Sequence, residues 1–222
     1  MKLFEKRFPN IHFDRKKLFT RSIDKNSFFE ERIVIEDGVY YREWDPKRSK
    51  LAAGLLKGIS QIGFKEGDLV LYLGASHGYT SSFVSDIVGK KGFVFAIDFA
   101  PEVVRDLVIL CEERENMAPI LGDCNHPEEY KDLVLESDIV YQDIAQKNQV
   151  QIFLKNCDAY LKKDGFGLLA LKARSVDVTR KPNDVFKEVR ATLEKHPTVV
   201  VVDYRTLDPY EKDHALFVVK KK

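Results

Sequence analysis

Between residues 68 and 220 the chain alternates short unbroken apolar runs with longer segments whose apolar residues fall three or four apart. The runs Leu69–Leu73, Phe93–Ile97, Ala118–Leu121, Ile139–Tyr141, Gly167–Leu171, Val199–Val202 and Ala215–Val219 predict buried strands. Thr80–Val88, Pro101–Arg114, Gln149–Leu161 and Asn183–Leu193 carry the helical spacing between them. Upstream, Ser49 as N-cap and the apolar positions after it predict a helix that stops near Gly63, with Lys50 in its first turn. Arg205–His214 has no helical pattern, so the last two strands are expected to pair antiparallel. Arg32–Arg42 reads as two short strands around an Asp37-Gly38 turn.

This order predicts an α/β protein of the Rossmann-like kind, with a mostly parallel seven-stranded sheet and a C-terminal antiparallel hairpin over residues 49–222. A small N-terminal β-rich region is expected over 1–48. At 222 residues the chain has room for one substantial core and a small addition, and too little for two full domains. No apolar run approaches the roughly 18 residues of a membrane helix, and Met1–Arg7 has no apolar signal core, so a soluble intracellular protein is expected. Cys111, Cys124 and Cys157 are odd in number and widely spaced, which fits neither a disulfide framework nor a zinc site. The five histidines show no metal-binding spacing either, and no metal is expected.

Charge changes the picture only once it is located. Lys plus Arg total 36 and Asp plus Glu 35, yet residues 1–50 hold 13 basic and 9 acidic side chains and residues 160–190 hold 8 and 4. Residues 98–143 hold 3 and 13. Two basic stretches that met in space would form an electrostatic footprint for nucleic acid, while the acidic stretch would face elsewhere or meet a basic protein. Each run taken alone reads more readily as solvated surface.

In a doubly wound sheet the ligand lies beyond the carboxyl ends of the strands, which points to the loop Gly74–Thr80. Its glycines at 74 and 78 are not the G-x-G-x-x-G of a dinucleotide phosphate cradle. Asp98 ends the next strand and is placed to accept from ribose hydroxyls, with Phe99 beside it to cover an adenine face. Asp123 and Asp143 end the following two strands. Three carboxylates around a glycine loop suit an adenosine ligand with a positive pole, S-adenosylmethionine in preference to NAD. Any one of these aspartates reads equally well as a turn former.

Four longer strings are more specific: Trp44–Ala52, Tyr141–Gln146, Leu171–Thr179 and Asp208–Ala215. Through them the chain, from about residue 30 onward, resembles the fibrillarin family of RNA 2′-O-methyltransferases. The resemblance implies the S-adenosylmethionine-dependent methyltransferase version of the fold, with cofactor contacts at Gly74, Ala75, Tyr79, Thr80, Asp98, Phe99, Asp123, Cys124, Asp143, Ile144, Ala145 and Gln146. Where the family usually has G-A-A/S-S-G-T-T this chain has G-A-S-H-G-Y-T, and it has Asp98 for Glu and Cys124 for Ala. The implied catalytic set is Lys50, Asp143, Lys172 and His214, in which Lys172, its charge disfavoured by burial and by Lys50, would act as a neutral base. The implied activity is ribose methylation of rRNA, and of tRNA, directed by box C/D guide RNA. A Nop-domain scaffold and a kink-turn-binding ribosomal-type protein are the implied partners, the acidic stretch being a candidate scaffold-docking face. Without a glycine-arginine-rich extension the chain matches the archaeal form, for which a cytoplasmic location is expected. The alternative is a non-catalytic RNA-binding or assembly subunit that keeps the fold.

Overall fold

The computed structural model describes residues 4–15 and 17–222, so residues 1–3 and 16 of the expected N-terminal region lie outside the described residues. That region forms five strands: β1 (Phe4–Phe8), β2 (Ile11–Asp14), β3 (Lys17–Arg21), β4 (Ile33–Glu36) and β5 (Val39–Trp44). They pair antiparallel in the order β1-β2-β3-β5-β4. The expected hairpin is β4–β5, with Asp37 and Gly38 both at positive φ in its turn. The first three strands gave no sequence signal. In β3, Leu18, Phe19 and Thr20 are buried in succession, so a period of two never develops.

Helix α1 (Lys50–Leu56) opens at Ser49, whose hydroxyl accepts from the Ala52 N–H. It ends seven residues short of Gly63, because Gly58 turns left-handed at φ 78° and breaks the ladder. The strand-helix alternation follows: β6 (Leu69–Leu73), α2 (Tyr79–Val88), β7 (Phe93–Asp98), α3 (Pro101–Glu112), β8 (Met117–Leu121), β9 (Ser137–Gln142), α4 (Gln149–Tyr160) and β10 (Leu161–Lys172). One short turn α5 (Ala173–Val176), then α6 (Pro182–Lys195), β11 (Val199–Thr206) and β12 (His214–Lys221) complete it. The sheet order is β11-β12-β10-β9-β6-β7-β8, parallel from β10 to β8, with β12 antiparallel to both its neighbours. The expected seven-stranded sheet and terminal hairpin are therefore both present.

The two sheets share one core. Ile11, Leu18 and Trp44 belong to the same buried cluster as Phe83, Val84 and Ile87 of α2. Trp44 stacks on Phe83 with ring centroids 5.0 Å apart. Beside them Asp86, fully buried, holds Arg42 at 2.8 Å and Arg114 at 2.9 Å, and accepts from the Thr20 hydroxyl at 2.8 Å. Glu31 closes on the far side of Arg42 at 2.7 Å. Arg42, part of the basic N-terminal stretch, is thus consumed inside the molecule and takes no part in any outer charged face.

Candidate active site

The neighbours β6 and β9 part company at their carboxyl ends, where the chain crosses to β7 on one side and β10 on the other. This is the switch point at which such sheets bind ligands. Gly74, at φ 81°, ends β6 with its N–H on the Ile97 carbonyl, and Asp143 follows β9 with its N–H on the Leu73 carbonyl at 2.9 Å. A Cβ on Gly74 would overlap the Asp143 carbonyl oxygen, so only glycine lets the two loops meet here.

A crevice in two connected parts opens over this junction. The smaller part, about 290 Å³, is lined by Asp98, Phe99, Asp123, Cys124 and Asp143–Gln146. The larger, about 550 Å³, is lined by Arg48, Lys50, Tyr79, Thr80, Lys172 and His214 among others. Gly74, Ser76, Asp143, Ile144 and Ala145 border both.

In the smaller part Asp98 is buried and accepts from the N–H groups of Ser76 at 2.8 Å and Ala100 at 3.1 Å. Each of its oxygens retains a second lone pair for a hydroxyl donor. Phe99 stands 66% exposed at the rim. Asp123 Oδ1 accepts from both nitrogens of Asn125, and these bonds hold its carboxyl below the ordinary value. Burial pushes the Cys124 thiol up to about 12, so it lines the wall as an uncharged group. Three carboxylates, an exposed aromatic ring and a close glycine junction fit a cationic adenosine ligand and would repel a pyrophosphate. Three of the 13 acids of the acidic stretch, Asp98, Asp123 and Asp143, are thereby accounted for, since they line the crevice and are no part of an outer docking face.

In the larger part the four residues expected to act together do come together. Lys50 Nζ lies 3.0 Å from Asp143 Oδ2. Lys172 and His214 are direct cross-strand partners at the ends of β10 and β12. Burial works against the Lys50 charge, but Asp143 and its hydrogen bond outweigh it and hold this ammonium above the ordinary value. Lys172 is exposed, so the burial expected of it is absent. The buried base is His214, whose proton affinity burial lowers. Its Nδ1 lies 2.6 Å from the Lys212 carbonyl, which can only accept. Nδ1 therefore carries the hydrogen, leaving the Nε2 lone pair open. Glu211, missed in the sequence although it sits in a quoted string, has an oxygen 3.9 Å from that Nδ1. Burial and Asp143 raise its carboxyl while Lys50 and Lys172 oppose them.

Gln149 was missed as well. Buried at the start of α4, it accepts from the Lys172 N–H at 3.2 Å and donates to the Lys172 carbonyl at 3.2 Å and to the Gln146 carbonyl at 2.9 Å. Its side-chain amide ties the end of β10 to the loop after β9 much as another strand would. Gln149→Glu removes both donors and sets a carboxylate against two carbonyls, at a cost of about 1–3 kcal/mol. Cofactor affinity and kcat, measured together, should both fall in this variant.

Tyr79 and His77 sit apart from the adenosine end. The Tyr79 hydroxyl accepts from the Asp45 N–H at 3.2 Å and its ring packs edge-on against Phe29 and Phe83, which places the side chain in the larger part of the crevice. His77 is exposed and pairs with Asp106 at 2.8 Å.

A family model described as fibrillarin matches residues 4–222. The chain belongs to the fibrillarin family. It is 44% identical over 221 residues to the fibrillarin-like rRNA/tRNA 2′-O-methyltransferase of Pyrococcus furiosus, covering 97% of this chain and 96% of that one. It superposes with a TM-score of 0.87 on Aeropyrum pernix fibrillarin in complex with natively bound S-adenosyl-L-methionine, at 39% identity over 97% of this chain and 96% of that one. A fibrillarin/Nop5p complex contains a chain that matches with a TM-score of 0.87 at 37% identity, covering 97% of this chain and 99% of that one. The fold expected for a fibrillarin-family chain, a methyltransferase sheet with an antiparallel C-terminal hairpin, is the fold found. No helix of the described residues is long and apolar enough to cross a membrane.

Proposed function

We propose that this fibrillarin-family chain is an S-adenosylmethionine-dependent 2′-O-methyltransferase of rRNA and tRNA, and that it works as the catalytic subunit of a box C/D ribonucleoprotein with a Nop-domain scaffold and a kink-turn-binding protein. The observation that carries this reading is a single crevice with adenosine-type contacts at one end and Lys50, Asp143, Lys172 and His214 at the other. The relatives' names and the cofactor bound to the Aeropyrum pernix protein support it.

When bound, S-adenosylmethionine supplies an electrophilic methyl group on a sulfonium. Asp98 would hold its ribose hydroxyls, Phe99 would cover its adenine, and Asp143 would face its positive pole. Lys50 stays protonated on Asp143, fixing that carboxylate between the two parts of the crevice. Attack on the methyl group needs the acceptor 2′-hydroxyl held in line and its proton removed. Neutral His214 receives that proton at Nε2, while Lys172, its cross-strand neighbour, bears on the 2′-oxygen. Arg48 and Lys50 from one basic stretch and Lys172 from the other border the same cavity, which gives it a positive rim for an RNA backbone. On this reading the target nucleotide is chosen by pairing to the guide RNA.

The test reconstitutes the particle and follows labelled methyl from S-adenosylmethionine into target RNAs with and without the selected 2′-hydroxyl. Label in the ribose target alone is expected. Label in the 2′-deoxy target would make a base the acceptor, and an assembled particle that transfers nothing would establish the assembly-subunit alternative.

A further inference from the structure

Seven arginines are neutralised where they stand: Arg32, Arg42, Arg114, Arg174, Arg180, Arg190 and Arg205 each lie within ion-pair distance of a carboxylate. Arg48, on the wall of the larger part of the crevice, makes no ion pair among the described residues. It is nevertheless held in place. Its guanidinium lies over the Tyr79 ring, 4.1 Å from the centroid, and its NH1 donates to the Phe29 carbonyl at 3.1 Å. Tyr79 is itself braced by Phe29, by Phe83 and by the hydrogen bond from the Asp45 N–H, and Asp45 begins the turn that carries Arg48.

A stacked guanidinium has lost much of its rotamer freedom before any ligand arrives, and its planar fork keeps free N–H donors matched to a phosphate. We infer that Arg48, seated on Tyr79, is the receptor for one phosphodiester of the RNA strand next to the ribose being methylated. The position fits that role: Ser49 alone separates Arg48 from Lys50, and His214 and Lys172 border the same cavity. Tyr79 then acts as a positioning residue for RNA, through Arg48, and its side chain makes no call on the cofactor. This inference rests on the RNA methyltransferase reading given above.

A chemical double-mutant cycle tests it in the assembled particle. Arg48→Gln is combined with target RNAs carrying a single neutral methylphosphonate on the 5′ or the 3′ side of the acceptor ribose. Arg48→Gln should raise the KM for RNA about tenfold and lower the slope of log affinity against log salt by about 1, with the S-adenosylmethionine affinity unchanged. One of the two methylphosphonates should cost the wild type the same factor and cost Arg48→Gln nothing further. Tyr79→Leu, which removes the platform and keeps the charge, should give part of the same loss, and Tyr79→Phe less than Tyr79→Leu. Independent, additive losses at both methylphosphonates would overturn the inference. So would an Arg48→Gln defect confined to S-adenosylmethionine affinity, which would assign the guanidinium to the cofactor's carboxylate. A wild-type particle that methylates no ribose removes the underlying reading, whereas normal methylation with an unaltered Arg48→Gln variant removes this inference alone.

Discussion

In His214→Gln, kcat for methyl transfer is expected to fall by about 10²–10⁴, the usual worth of a positioned general base. The variant should also lose a limb of the pH profile. Burial depresses the proton affinity of His214 below the ordinary value of 6.5, so the imidazole is neutral at pH 7 and its Nε2 can accept. Lowering the pH through the depressed value protonates it, adds a cation beside Lys50 and Lys172, and removes the acceptor. The wild-type rate should therefore fall toward acid with a midpoint under 6.5, while His214→Gln should show a low rate without that limb. Asp143, Lys50, Lys172 and Glu211 also surround the ring, and Glu211 titrates in the same direction. A limb that persists unchanged in His214→Gln would move the proton acceptor to one of these groups. The same linkage reaches stability: the unfolded chain binds the His214 proton at the ordinary value and the folded chain only below it, so folding weakens as pH falls through 6.5.

Asp86→Leu should be the most damaging single change to stability. It leaves Arg42 and Arg114 buried, the first with Glu31 and the second with Asp24, 3.1 Å away, as the remaining counter-charge. Breaking a buried pair in this way costs about 3–5 kcal/mol. For a chain of this size that lowers the melting temperature by on the order of 10 °C. Replacing the cluster together, as Asp86→Leu with Arg42→Met, Arg114→Met and Glu31→Gln, should recover much of the loss, because Glu31, itself buried against Arg42, would otherwise be the stranded charge. Calorimetry on the single and quadruple variants checks this, and a quadruple variant no more stable than the single one would refute it.

The parallel sheet was legible because its strands are buried on both faces and write continuous apolar runs, and the acids at Asp98 and Asp143 were legible because strand ends are where such folds bind. The N-terminal sheet was half legible. β4 and β5 announce themselves through a turn that needs positive φ, whereas β1, β2 and β3 are short and mix charge with aromatics. Their order comes from partners far along the chain, such as Asp86 for Thr20 and the carbonyls of Asp86 and Ile87 for Asn10. The quartet Lys50, Asp143, Lys172 and His214 was expected through family strings, and its geometry differs from that expectation in one respect: solvent reaches Lys172, while the shielded group is His214. Gln149 carried no signal at all, and although Arg48 stood in a basic stretch and Tyr79 among the expected cofactor contacts, nothing in the sequence showed that the two pair. A glutamine that behaves as a strand and an arginine left without a counter-ion are relations between distant segments, and no local pattern encodes them.

The ion network around Asp86 also orders events during synthesis. Residues of the N-terminal sheet leave the ribosome first, yet the carboxylate that compensates Arg42 belongs to α2, and the guanidinium that completes the cluster waits for Arg114. Until that point the nascent chain carries five paired or pairing strands with no core to rest on and a charge with half its complement. A pause in translation between β5 and α3 would prolong this stage. The N-terminal sheet, though made before α2 and α3, therefore depends on them for its stability, and the crevice it borders through Phe29 and Arg48 is complete only when the rest of the sheet is in place.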